Sequence, residues 1–324
     1  MEIALGVAAF VLGVALVIGS AEKLVEGLVG VSLAFHLSTF LLAVLLVGFD
    51  AENLGVGIDA AVRSLPGVAL GTIIGASMVA TAFAIGLTAI IKPVEFSLSR
   101  KGVLLIAPVA VLVAWLLSLD GTLSRIDGVV LLIVFVGLVA YLLWEGKRGL
   151  VMRGEAHEAM EEVQREHHGK IFYGGLVIAT LVGLVIGAEL AVWGTRRILD
   201  IAGISGTLFG MTVVAFAVSV EELGRTLIPA LKGHSEIAVG NVIGSAAYFF
   251  TFNAGLIALV APLLVESQVR WNYYPFALSA TVLVSILGLK ERIGRAGGAL
   301  LLGLYLAFVA LVVVQGLPVL PGGD

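Results

Sequence analysis

Ten apolar stretches follow one another along the chain, each about 17 to 28 residues long and so able to cross a hydrocarbon core of roughly 30 Å as a helix. They cover 3–21, 38–61, 68–92, 102–119, 126–145, 172–195, 207–231, 237–264, 274–290 and 296–315. The pattern predicts an all-α polytopic membrane protein with ten transmembrane helices. The long polar interruption, Glu145 to Lys170, divides it into a first five-helix unit (1–145), a charged linker (146–171) and a second five-helix unit (172–324). His157, His167 and His168 of the linker converge on no metal-ligand spacing, and the run is mixed in charge, so it reads as a solvated helical linker.

Composition agrees with that reading. The 324 residues are 60% hydrophobic and 13% charged, with a mean hydropathy of +1.11, far from a soluble globular protein. No cysteine is present, so a disulfide framework, a zinc–thiolate site and a thiol nucleophile are excluded. No basic run supports nucleic-acid binding; the expected partners are the lipid bilayer and small cations, with no cofactor. The apolar N-terminus lacks a basic n-region and reads as a retained helix. With the N-terminus outside, thirteen Lys and Arg fall in inner loops, among them Lys92, Arg100, Lys101, Lys290, Arg292 and Arg295. Five fall in outer loops: Arg63, Arg125, Arg196, Arg197 and Arg270. The asymmetry places both termini outside and the linker in the cytoplasm, in a plasma-membrane protein.

The chain repeats itself at one offset. "ENLG" at Glu52–Gly55 matches "EELG" at Glu221–Gly224, and "ALGTIIGA" at Ala69–Ala76 matches "AVGNVIGS" at Ala238–Ser245; 221 − 52 and 238 − 69 both equal 169. Five helices, an odd number, separate the copies, so the repeats are expected to be inverted about an axis in the membrane plane. Such repeats place substrate and coupling-ion sites at the midplane of secondary transporters. Two clusters, Asp50, Glu52 and Asn53 in "GFDAEN" and Ser219, Glu221 and Glu222 in "VSVEELGR", fall at that depth, where a charge is most costly and functional by default.

These paired acidic helices, each followed by a "G-x-x-I-G-[AS]" helix, resemble the alpha-repeats of the cation/calcium exchanger superfamily, which includes sodium/calcium and proton/calcium exchangers. The resemblance implies a central cation site with one acidic residue from each repeat, and alternating access by sliding helices. On that pattern Glu222 occupies the liganding position of the second repeat, with Ser219 and the Asn241 of "GNVIGS" retained. In the first repeat Asn53 stands at the liganding glutamate position and Asp50 at a serine position, while Glu52 and Glu221 replace prolines. Ala80 and Phe249 stand where the family often supplies an amide or carboxylate, Thr72 opposite Asn241 and Ala76 opposite Ser245, so the family's calcium site is not intact.

The expected metal ligands are therefore Asp50, Glu52, Asn53, Ser219, Glu221, Glu222 and Asn241, with Arg225, Thr72 and Ser245 modulating the site. Adjacent Glu221 and Glu222 point about 100° apart on a helix and cannot both face one ion unless the helix unwinds, for which Gly48, Gly55, Gly57 and Gly224 are available. Arg225, three and four residues beyond them, is within reach of either. It is read either as neutralising a buried acid or as a tethered cation that yields to substrate. Glu22, Glu189 and Asp59 are weighed as path residues or solvated helix-end groups, and the four Trp with Tyr273 and Tyr274 as interfacial anchors. The main expectation is an antiporter moving calcium or another metal cation against sodium or protons. The alternative is an exchanger-like protein that has lost transport and serves a structural or regulatory role.

Overall fold

The computed structural model describes residues 2–35, 38–98, 100–147, 169–201 and 220–316. The fold is helical, and the chain is an integral membrane protein. Seven of its described helices are long and apolar enough to cross a membrane: Leu5–Phe35, Pro66–Ile91, Arg125–Gly146, Lys170–Ala191, Ser235–Val260, Val269–Leu289 and Arg295–Val314. Asn53–Val62 and Lys101–Leu117 are shorter apolar helices. The expected span 38–61 is broken into α2 (Thr39–Leu42) with a π-helical turn (Ala43–Val47), and then α3 (Ala51–Val62). Most of the expected span 207–231 lies outside the described residues, as do nearly all of the linker and its histidines; residues 220–231 are helical.

Two long helices, α1 (Glu2–Phe35) and α8 (Lys170–Ile201), pack against one another along their length. They run antiparallel in backbone contact: a Cβ at Gly13 would lie 2.4 Å from the Ala191 nitrogen, and one at Gly187 would lie 2.9 Å from the Gly13 carbonyl oxygen. Small residues permit this approach where lipid gives helices no hydrophobic reason to associate.

The remainder is built from matched elements. Taking α4 as Pro66–Met78 and α5 as Ile85–Ile91, and α10 as Ser235–Ala247 and α11 as Ala254–Val260, each pair is joined by a π-helical turn, Val79–Ala84 or Tyr248–Asn253. Corresponding starts (66 and 235, 79 and 248, 85 and 254) are 169 residues apart. A π turn frees a carbonyl from its usual donor. Here Thr81 Oγ1 donates to the Ser77 carbonyl at 2.7 Å and Thr251 Oγ1 to the Ala247 carbonyl at 2.5 Å. Short strands exchange between the halves: β1 (Val94–Glu95) pairs with β4 (Arg292–Ile293), and β2 (Thr122–Leu123) with β3 (Leu263–Leu264).

These two ribbons sit at opposite ends of the helical layer. Helix α7 (Arg125–Lys147) starts just after β2, and Glu145 near its far end lies 3.4 Å from Arg100, shortly after β1. Its 23 residues span about 34 Å at 1.5 Å per residue. The helical run Pro66–Ile91 ends just before β1, so its start lies at the other end, consistent with the contact of α4 with β3, whereas at the β1 end Lys92 Nζ donates to the Leu231 carbonyl at 3.1 Å. Thus α3 runs towards one ribbon, and residues 220–231 run towards the other.

One expected surface residue proves internal. Tyr274, read as an interfacial anchor, is fully buried against Phe250, and its hydroxyl lies 3.1 Å from Ser118 Oγ, so its polar end is satisfied inside the protein. Of the other expected anchors, Trp144, Trp193 and Trp271 are exposed, whereas Trp115 and Tyr273 are half-buried against the core.

Candidate cation site

The first half of the site forms at the break between α2 and α3. After the π turn, Gly48 meets α10 so closely that a Cβ there would lie 2.5 Å from the Gly244 carbonyl carbon and 2.7 Å from the Ser245 nitrogen. Glycine is required by that approach. The chain then turns through Phe49, and Asp50 becomes the N-cap of α3, accepting from the Asn53 backbone at 2.9 Å and from Asn53 Nδ2 at 2.6 Å. A capping Asp with Asn three positions on is a legible helix-start signal, and it replaces proline as the cause of the break. On α3, Gly55, Val56 and Asp59 are exposed, and Asp59 is paired with Arg63 at 2.8 Å.

The second half lies on residues 220–231, labelled α9, and on α10. Glu221, Glu222 and Arg225 are all at most 5% exposed. The adjacent glutamates diverge, as helical geometry requires: Glu221 Oε1 accepts from Arg225 Nη2, whereas Glu222 Oε2 accepts from Asn241 Nδ2 at 2.8 Å. Arg225 Nη1 remains 3.9 Å from Glu222 Oε1. Asp50 is within electrostatic reach of both glutamates, which joins the two halves.

Asn241 also donates to Thr226 Oγ1 at 3.3 Å. Thr226 was not among the residues expected from the sequence, although its position four beyond Glu222 puts it on the same helical face. Among the buried oxygen atoms without a hydrogen-bond partner, three belong to expected site residues: Glu222 Oε1, Asn241 Oδ1 and Ser245 Oγ. Buried polar atoms normally have partners, so such orphans call for a ligand or water. Thr72 is half-buried, its hydroxyl donating to the Ala69 carbonyl at 2.8 Å. Ser219 lies outside the described residues, and Glu22 and Glu189 are exposed on α1 and α8. Among the described residues no three His, Cys, Asp or Glu side chains form a ready-made metal cluster; Glu221 is turned to Arg225 instead.

Aromatic side chains flank this region. Phe49, adjacent to Asp50, meets Tyr248 and Phe252 at ring-centroid distances of 5.4 and 6.0 Å, and Phe135 stacks on both of the latter. The Tyr248 hydroxyl donates to the Leu45 carbonyl in the π turn before Asp50 at 2.9 Å.

Comparison with known proteins gives a consistent relationship. The pattern of the sodium/calcium exchanger protein family matches residues 5–144 and 172–314. The chain is 30% identical over 308 residues to the uncharacterized membrane protein MJ0091 of Methanocaldococcus jannaschii, covering 94% of this chain and 97% of that protein. It is 26% identical over 326 residues to the inner membrane protein YrbG of Escherichia coli, covering 95% and 97%. Among solved structures, the sodium-calcium exchanger NCX_Mj soaked with zero sodium and calcium superposes with a TM-score of 0.81 at 28% identity, covering 96% of this chain and 99% of that one.

Proposed function

The chain belongs to the sodium/calcium exchanger protein family, whose members are transporters and not enzymes, and we propose that it is a secondary-active antiporter moving calcium or another metal cation against sodium or protons. The observation that carries this reading is the set of orphaned oxygens, Glu222 Oε1, Asn241 Oδ1 and Ser245 Oγ, beside a carboxylate from the other half of the chain, Asp50. Hard cations take such oxygens as ligands. Ser219 and Asn53 complete the proposed ligand set, with Thr72 at its edge, and Glu221 holds Arg225.

The architecture we propose for this transporter is ten transmembrane helices in two inverted five-helix units, 1–145 and 172–324, joined by a cytoplasmic linker. The 169-residue spacing of elements, the exchanged strands at opposite ends and the opposed directions of α3 and α9 all support it. Inversion supplies two related conformations about a fixed site, which is the physical basis of alternating access. The basic residues at the β1·β4 end, including Lys92, Arg100, Lys101 and Arg295, support a cytoplasmic location for that end.

The test is cation-dependent calcium flux in proteoliposomes. Wild type should take up calcium when an outward sodium or proton gradient is imposed, and Glu222→Gln should abolish uptake while eluting and melting like wild type. Uptake retained in a folded Glu222→Gln protein would move the site elsewhere, and no uptake by wild type would leave a structural or regulatory role.

A further inference from the structure

Arg225 introduces a permanent positive charge at a site built to attract cations. The residue is 2% exposed, its guanidinium is bonded to Glu221 and stands 3.9 Å from Glu222, and it cannot shed its proton at physiological pH. Among the described side chains, three buried carboxylates share this region with one buried cation: Glu221 and Glu222 stand against Arg225, and Asp50 is within electrostatic reach of both glutamates. Two negative charges are left unmatched, and one of the orphaned oxygens, Glu222 Oε1, stands 3.9 Å from the guanidinium without a hydrogen bond to it.

We propose that the Arg225 guanidinium is a resident cation that holds one monovalent position of the exchange site, so that each occluded load carries two positive charges and exchange moves no net charge. The inference rests on the antiport reading above. A buried site far from neutrality is strongly disfavoured in a low dielectric, so its fixed charge limits the load it can enclose. Arginine supplies the charge of a transported ion without leaving, because it is tethered one helical turn from its partner. Glu221 is then a positioning residue for Arg225, and the exchanged ions use Glu222, Asn241, Ser245 and Asp50.

The test compares the purified full chain as wild type, Arg225→Gln and the double variant Glu221→Gln/Arg225→Gln. The apparent affinity for radiolabelled calcium is measured against sodium concentration, or against pH if sodium does not compete; the logarithmic slope counts monovalent ions displaced per calcium. The expected slopes are about two for wild type, about three for Arg225→Gln and about two for the double variant, because the site's fixed charge changes in that order. A wild-type slope near three, or an unchanged slope in Arg225→Gln, overturns the proposal. Should Arg225→Gln not fold, wild-type flux decides the matter with the membrane potential clamped by potassium and valinomycin. One net charge moved through about 100 mV shifts a transport equilibrium roughly fifty-fold. Electroneutral exchange leaves the calcium accumulation ratio unchanged, and a shift of that size overturns it. Failure of wild type to bind or move calcium at all would defeat the antiport reading, and with it this inference; binding with the wrong slope defeats this inference alone.

Discussion

Glu222 and Asn241, nineteen residues apart, meet inside the protein through a 2.8 Å hydrogen bond from the Asn241 amide to Glu222 Oε2. The bond orients both side chains and leaves Glu222 Oε1 and the Asn241 amide oxygen without a hydrogen-bond partner. Asn241→Leu should therefore weaken calcium binding at least tenfold and destabilise the fold by about 1 to 3 kcal/mol, the cost of leaving a buried partner unsatisfied. Calcium titration and thermal melting of the same preparation check both.

Glu221 and Arg225 should behave as a pair. Glu221→Gln leaves a buried guanidinium without its carboxylate, and removing one partner of such a pair costs about 3 to 5 kcal/mol. Replacing both, as in Glu221→Gln/Arg225→Met, should recover most of that loss. Melting temperatures of the two variants and wild type give the answer, and equal destabilisation by single and double changes would contradict the pairing.

Asp50 combines a structural and an electrostatic role that two substitutions separate. Asp50→Ala removes the N-cap of α3 and should cost about 1 kcal/mol. Asp50→Ser retains a capping oxygen, so the melting temperature should remain near that of wild type while calcium affinity falls with the lost charge. Equal affinity in wild type and Asp50→Ser would remove Asp50 from the site.

The exchanged strands make a topological prediction. Since the chain has no cysteine, single cysteines at Thr122 and Arg292 report without background. An impermeant thiol reagent should label them from opposite sides of the membrane. Labelling from one side would put both ribbons on the same face and end the inverted-repeat proposal.

Close backbone packing predicts where small changes are not tolerated. A Cβ at Gly244 would lie 2.4 Å from the Val44 carbonyl oxygen, so Gly244→Ala must push α10 away from the π turn that leads to Asp50. Gly75, the matching position in the first half, has open space around it. Gly75→Ala should leave transport and melting temperature unchanged, while Gly244→Ala lowers both.

Much of this protein is legible in one dimension. Membrane residence follows from the length of the apolar runs, and the repeat register from "GTIIGA" and "GNVIGS" 169 residues apart; these depend on composition and spacing, which survive without knowledge of any contact. The presence of acids at Asp50, Glu221 and Glu222 is equally a property of the sequence, as is the reach of Arg225 to both glutamates. What tertiary structure decided is which partner each group takes. Helical spacing makes Glu221 and Glu222 equally available to Arg225; in the fold Arg225 bonds Glu221, while Glu222 gives one oxygen to the Asn241 amide and keeps the other 3.9 Å from the guanidinium. The break at Gly48–Asp50 is likewise settled by contact with Gly244 and Ser245, and the burial of Tyr274 by a hydroxyl partner at Ser118. Hydropathy tells how deep a residue lies along the membrane normal, whereas hydrogen bonds and backbone approach depend on which helices stand side by side.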